Sequence, residues 1–161
     1  MNYSLQQDGS LLFQEIDSFL AELIILPFLQ KELSSKMIND HLFKKLTAQD
    51  SLGASDWKEY VAPELQTLFT SCHEHVLSDL AVLQQGDPSD HTRSFTIPLT
   101  HRDAWLRMLS MVRLSLASQH HIAEEEFQKK DPTSLTELQQ KALLQMEIFA
   151  VMQQCLIEAE G

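Results

Sequence analysis

The chain has 161 residues, with 12 Lys+Arg against 23 Asp+Glu for a formal charge of −11, 43% hydrophobic residues, four Gly, five Pro and two Cys. A chain of this length can bury a sizeable core without disulfides or a structural metal, and the composition describes one acidic helical domain over residues 1–161. The negative charge argues against direct nucleic-acid binding, because affinity for a phosphate backbone comes from Lys and Arg that release counterions.

The first residues, Met1-Asn2-Tyr3-Ser4-Leu5-Gln6-Gln7-Asp8, carry no basic stretch leading into an apolar one, so no secretory signal is expected. The most apolar run, Leu23-Ile24-Ile25-Leu26-Pro27-Phe28-Leu29, is far shorter than the roughly 20 residues of a membrane span. Cys72 and Cys155 form no CxxC or Cys/His ligand spacing, the pattern of reduced thiols in a cytoplasmic protein.

In chain order, Tyr3–Leu5 and Leu11–Phe13 flank the turn dipeptide Asp8-Gly9 and predict a small N-terminal hairpin. Phe13, Ile16, Leu20, Leu23, Ile24 and Pro27 then recur at helical spacing and predict a first helix from about Gln14 to Leu26. Pro27 predicts a kinked continuation or a second short helix beyond it. Residues Ser34–Leu46 read as helical and Thr47–Ser55 as a loop, with Ser55 or Asp56 capping the next helix. Trp57–Ala62 starts that helix and Pro63 interrupts it. The stripe Leu65, Leu68, Phe69, Cys72, Val76, Leu80 and Leu83 then predicts a helix from Pro63 to Leu83.

Gln84–Ser94, with Gly86 and Asp87-Pro88, reads as a flexible loop. Phe95–Leu99 alternates apolar and polar residues and predicts one edge strand, confined to an edge or end by Pro98. Thr100 with Asp103 resembles a capping box opening a helix to about Ser118. Its apolar arc, widened by Met108, Met111 and Leu114, predicts a central position. Ser134-Leu135-Thr136-Glu137 reads as a second capping box, opening a last helix from about Leu135 to Glu158. That helix is apolar nearly all round, with a narrow polar arc at Glu147, Gln154 and Glu158, so cover on both sides is expected, from its own fold or from a second subunit. The fold class is therefore mainly α, a compact bundle of about five helices with the hairpin and one edge strand near residues 95–99. No 20 to 50 residue repeat is visible.

Arg113 shares a helical arc with Leu106, Leu109 and Leu116, so its permanent charge needs a partner. An ion pair within the fold, with Asp17 or Glu147, is favoured over an anion-binding role. His73 and His75 lie two apart and face different ways. His120 with Glu124, or His121 with Glu125, would share a face if the preceding helix ran on, but a solvated acidic turn is the favoured reading. No metal or other cofactor is therefore expected. Cys72 and Cys155 fall on apolar stripes and are read as buried and inert, although His73 and His75 lie near Cys72 in sequence. GxSxG, P-loop and GxGxxG motifs are absent from the sequence, so nothing positive points to an enzyme.

The run Trp105-Leu106-Arg107-Met108-Leu109-Ser110-Met111-Val112-Arg113-Leu114-Ser115-Leu116 follows a strand-like segment and precedes a last helix ending Gln153-Gln154-Cys155-Leu156-Ile157. With Asp8-Gly9 ahead of the first helix and Asp56-Trp57-Lys58-Glu59-Tyr60-Val61 leading to Leu65, the chain resembles the "domain of unknown function" family DUF2017 of small bacterial proteins over nearly its whole length. It departs from the family pattern at Ser110-Met111, where an Asn-Asp pair usually precedes the motif arginine. The resemblance implies a mostly helical cytoplasmic protein, often encoded beside the adaptor of the Clp protease, and hence a link to regulated proteolysis or stress regulation. The favoured function is that of a non-enzymatic regulatory or adaptor-type protein. Its candidate binding residues are Trp105, Met108, Met111, Arg113 and Leu156, and its partners are another protein or a second copy through the last helix. The alternatives are a stress regulator that binds another regulator, and a small-molecule or metal-binding enzyme.

Overall fold

A computed structural model describes residues 1–29, 56–84, 91–122 and 135–159. The helix expected over Ser34–Leu46 and the loop over Thr47–Ser55 lie outside the described residues. Within them the chain forms strand β1 (Asn2–Leu5), strand β2 (Leu11–Asp17), strand β3 (Thr92–Ile97) and four helices. Helix α1 runs from Ser18–Leu20 through Ala21–Ile25 to Leu26–Leu29, and α2 from Trp57–Val61 into Ala62–Gln84. Helix α3 is Arg102–Gln119, entered through a tight turn at Leu99–His101, and α4 is Glu137–Glu158.

The expected hairpin is present, and β3 joins it in an antiparallel sheet of order β1-β2-β3. The Gly9 amide donates to the Gln6 carbonyl at 3.0 Å and Gln6 donates to the Ser10 carbonyl at 2.8 Å, while Gly9 takes a φ of +80° that favours glycine. Asp8 accepts from the Ser10 amide at 2.9 Å and its hydroxyl at 2.6 Å. These bonds, the hydroxyl foremost, hold the Asp8 carboxyl below its ordinary pKa.

Two boundaries differ from the sequence reading. Strand β2 continues to Asp17, so the first helix starts at Ser18 rather than Gln14. The cause is a bulge: Phe13 pairs with Phe95 but Ile16 with Arg93, leaving an extra residue on β2, and Glu15 takes a φ of 53°. The bulge turns both Phe13 and Ile16 into the core. Asp17 then caps α1 by accepting from the Phe19 amide at 2.8 Å. At the other boundary β3 begins at Thr92, within the expected loop, and ends at Ile97 rather than Leu99. It forms an edge, as Pro98 requires.

Pro27 and Pro63 are absorbed without ending a helix. A wider turn, in which Leu26 donates to the Ala21 carbonyl, lies just before Pro27, and another, in which Ala62 donates to Trp57, lies just before Pro63. Widening of this kind makes room for a ring that cannot donate and that crowds the preceding turn. Asp56 precedes the second of these turns without a side-chain capping bond; Ser55 lies outside the described residues.

The two later helix starts also move. Thr100 lies inside the tight turn, and α3 begins at Arg102 with no side-chain capping bond. At α4 the capping box is Thr136 with Gln139 rather than Ser134 with Glu137. Gln139 donates to the Thr136 hydroxyl at 3.3 Å and its side chain accepts from the Thr136 amide at 3.1 Å. The same side chain donates to the His120 carbonyl at 3.1 Å, tying the start of α4 to the end of α3. That double use explains the choice of cap.

Helix α3 is central, packed against α2 and α4. An aromatic column joins it to the sheet: Phe13 stacks on Phe95 at 5.3 Å between centroids, and Phe95 on Trp105 at 5.4 Å. Arg102, also buried, donates to the Ala159 carbonyl at 3.4 Å and the Gly9 carbonyl at 3.2 Å. It thereby clasps the hairpin turn to the end of α4. On α4, Leu138, Leu144, Val151 and Ile157 remain exposed, so of the two sources of cover expected for this helix the described residues of its own fold do not supply it there.

Candidate functional site

The junction of α2 and α3 gathers a cluster of polar side chains around a buried carboxylate. Asp79 on α2 is buried, and the helical spacing puts His75, one turn earlier, on the same face. The tight turn at Leu99–His101 brings His101 over them, and α3 brings Trp105. His101 Nδ1 lies 3.0 and 3.1 Å from the two Asp79 carboxylate oxygens, and the Trp105 indole N–H donates to one of them at 2.8 Å. The His75 ring sits 4.4 Å from that of His101, tilted by 50°. A buried carboxylate therefore has two donors, and it orients a partly exposed imidazole beside an exposed one.

Beside this cluster, Phe69 of α2 and Asp103, Leu106, Arg107, Ser110, Met111 and Leu114 of α3 line an open groove. Leu114 is 47% exposed there. Met111 is the only member of the expected contact set that reaches the groove. Trp105, Met108 and Leu156 are each 0% exposed. The broad apolar arc that suggested a docking surface is, at these three positions, the core itself, and Met111, 3% exposed, also belongs to that core.

Arg113 is half-buried and, among the described residues, has no carboxylate partner of the kind expected. Its guanidinium donates to Gln153 Oε1 at 2.7 Å, and the Gln153 amide donates to the Ser110 hydroxyl at 2.6 Å and the Leu106 carbonyl at 3.3 Å. An amide with two acceptor lone pairs and two donor hydrogens can bridge the cation and the α3 backbone, which a carboxylate cannot. Ser110 is part of that bridge. On α4, Gln145 is 1% exposed and its amide nitrogen has no hydrogen-bond partner among the described residues. Gln145→Met, which removes the orphan group at similar length, is expected to stabilise the fold by about 1–2 kcal/mol. A raised urea midpoint at unchanged slope checks this; a lowered one means that a bound water satisfies the amide.

The helix that would have aligned His120 with Glu124 and His121 with Glu125 does not run on through the two histidines. Helix α3 ends at Gln119, and His121 takes a φ of 51°. Ile122 donates to Ala117 at 2.9 Å and His121 to Ser118 at 3.3 Å, which close the helix end. Glu124 and Glu125 lie outside the described residues. His73, by contrast, is buried, with Nε2 2.9 Å from the Leu29 carbonyl at the end of α1. Both cysteines are buried and free, and burial pushes both thiols up from their ordinary pKa. Among the described residues no group of three or more His, Cys, Asp or Glu could hold a metal, and no helix is long and apolar enough to cross a membrane.

The architecture is a helical protein with a small antiparallel sheet, its polar cluster at the α2–α3 junction. Residues 21–160 match the family model described as "Domain of unknown function (DUF2017)", and the chain belongs to that family. The match starts within α1, so the hairpin precedes it. No curated protein and no solved structure matches the chain.

Proposed function

We propose that the protein is a non-enzymatic adaptor or regulatory protein of the cytoplasm, acting through protein contacts, with the α2–α3 groove as its docking site. The observation that carries this reading is the groove itself, where apolar Phe69, Leu106, Met111 and Leu114 stand with Asp103, Arg107 and Ser110. That mixture suits an amphipathic segment of another protein, with apolar anchors in the groove and polar contacts around them. Regulated proteolysis is the setting that the family resemblance implies. The test is affinity purification of the tagged chain from its own cells with mass spectrometry, comparing wild type with Leu114→Glu. A specific partner lost in the variant, with helical circular dichroism unchanged, supports the reading. No partner with either protein overturns it.

A second reading places a copy of the chain on α4, because Leu144 and Val151, seven residues apart on one face, are 48% and 52% exposed. It requires a dimer by light scattering that Val151→Glu dissociates.

A further inference from the structure

We propose that the segment received by the α2–α3 groove is an amphipathic helix that carries one acidic and one basic side chain a turn apart, the acid pairing with Arg107 and the base with Asp103. The inference rests on the reading of this groove as the docking site, and it adds the chemistry of the occupant. Phe69 and Met111 are buried in the groove, Leu106 is half-buried and Leu114 is exposed. Asp103 and Arg107 stand four residues apart on the α3 wall, and both are exposed. An acid four residues before a base on a helix is well placed to pair with it. Here neither side chain has an ion pair or a hydrogen bond with any described residue. Both charges act, in opposite senses, on the buried Cys72 thiol of α2, which puts them on the α2 side of α3. The groove thus offers two opposite charges without partners beside an apolar floor.

The walls favour a helix over an extended segment. Helices α2 and α3 run antiparallel, with Asp79 bonded to Trp105 at one end and Phe69 sharing the groove with Met111 and Leu114 towards the other. An extended chain laid between them would find no free backbone donors or acceptors along the middle turns, whereas a helix satisfies its own. A helix also seats its side-chain ridges in the furrow that two packed helices leave. From Asp103 to Leu114 the groove is about 16 Å long, or three helical turns. That length takes apolar anchors at positions i, i+4 and i+7 of the partner, against Leu106, Met111 and Leu114. The two groove charges then act as a filter: a segment with two acids meets Asp103 and one with two bases meets Arg107, and like charges brought together weaken binding.

The test is fluorescence anisotropy of the full chain with three labelled synthetic helical peptides. They share one apolar stripe and differ at two flanking positions four residues apart, which hold Glu with Lys, Glu with Glu, or Lys with Lys. Wild type is expected to bind the mixed peptide roughly 5- to 10-fold more tightly than either like-charged one. Asp103→Lys should move the preference to the Glu/Glu peptide and Arg107→Glu to the Lys/Lys peptide. Both side chains are exposed, so circular dichroism of the variants should match wild type, and a preference that changes with the protein cannot come from unequal helicity of the peptides. Leu114→Glu should weaken all three. A preference that stays the same in both charge variants overturns the proposal; if Leu114→Glu still weakens every peptide, the groove remains a docking site without this charge pattern. No binding of the mixed peptide at millimolar concentration overturns the proposal as well, while the docking reading itself falls only with the absence of a cellular partner.

Discussion

Trp105→Ala is expected to destabilise the fold by about 3–5 kcal/mol, a large share of the ~5–15 kcal/mol that holds an ordinary domain together. Trp105 is fully buried, ends the Phe13–Phe95–Trp105 column, and donates its indole N–H to Asp79. Alanine removes three things at once: the buried area, the stacking partner of Phe95, and one of the two donors that compensate a buried carboxylate. Trp105→Phe separates them in part, since it keeps an aromatic ring to stack on Phe95 while deleting the donor and only some of the buried area. It is expected to cost about 1–3 kcal/mol, the penalty of leaving a buried acceptor short of a partner. Urea unfolding followed by far-ultraviolet circular dichroism measures both. A Trp105→Ala loss below about 1 kcal/mol would mean that the column does not carry the sheet onto α3.

The helices were legible because their signals are local. The stripe from Leu65 to Leu83 and the broad arc of α3 place apolar residues every three or four positions, and that period survives whatever the chain packs against. The same period misled at β2. A bulge inserts one residue between inward-facing positions, so Phe13 and Ile16 stand three apart and imitate a helical face. The caps were misplaced for a related reason. Several Ser, Thr and Asp residues compete at each helix start, and the choice of Thr136 depends on Gln139 reaching both its own cap and the His120 carbonyl, a contact invisible along the chain.

The site was barely legible. Asp79 and His101 lie 22 residues apart in sequence, and no motif spacing announces a carboxylate on one helix that waits for an imidazole on a turn before another. His75 carried one usable signal: it stands one turn before Asp79 on a helix whose other acidic and imidazole residues point elsewhere. Arg113 was recognised as a cation needing a partner, but a search among carboxylates could not find Gln153, because a neutral amide leaves no trace in charge patterning.

The sharpest contrast between sequence and structure lies on α4, where two apolar residues five apart are expected to respond oppositely to the same charge. Leu156→Glu places a carboxyl at a position with 0% exposure, whereas Val151→Glu places it at 52%. In the first case the group loses its hydration without a built-in partner, and the expected cost is about 4 kcal/mol or more, enough to leave the chain largely unfolded. In the second the carboxyl stays in water, and a change within about 0.5 kcal/mol is expected. The pH dependence distinguishes burial from simple misfolding. Burial raises the folded-state pKa of the introduced carboxyl above its unfolded value of about 4.3. The Leu156→Glu penalty should therefore shrink on acidification and return in full as the pH rises through the folded pKa. Denaturant midpoints of both variants at pH 4.5 and 7.5, each referred to wild type at the same pH, provide the comparison. Equal effects at the two positions would mean that α4 turns a different face inward, and the exposed stripe of Leu144 and Val151 offered for self-association would fall with that placement.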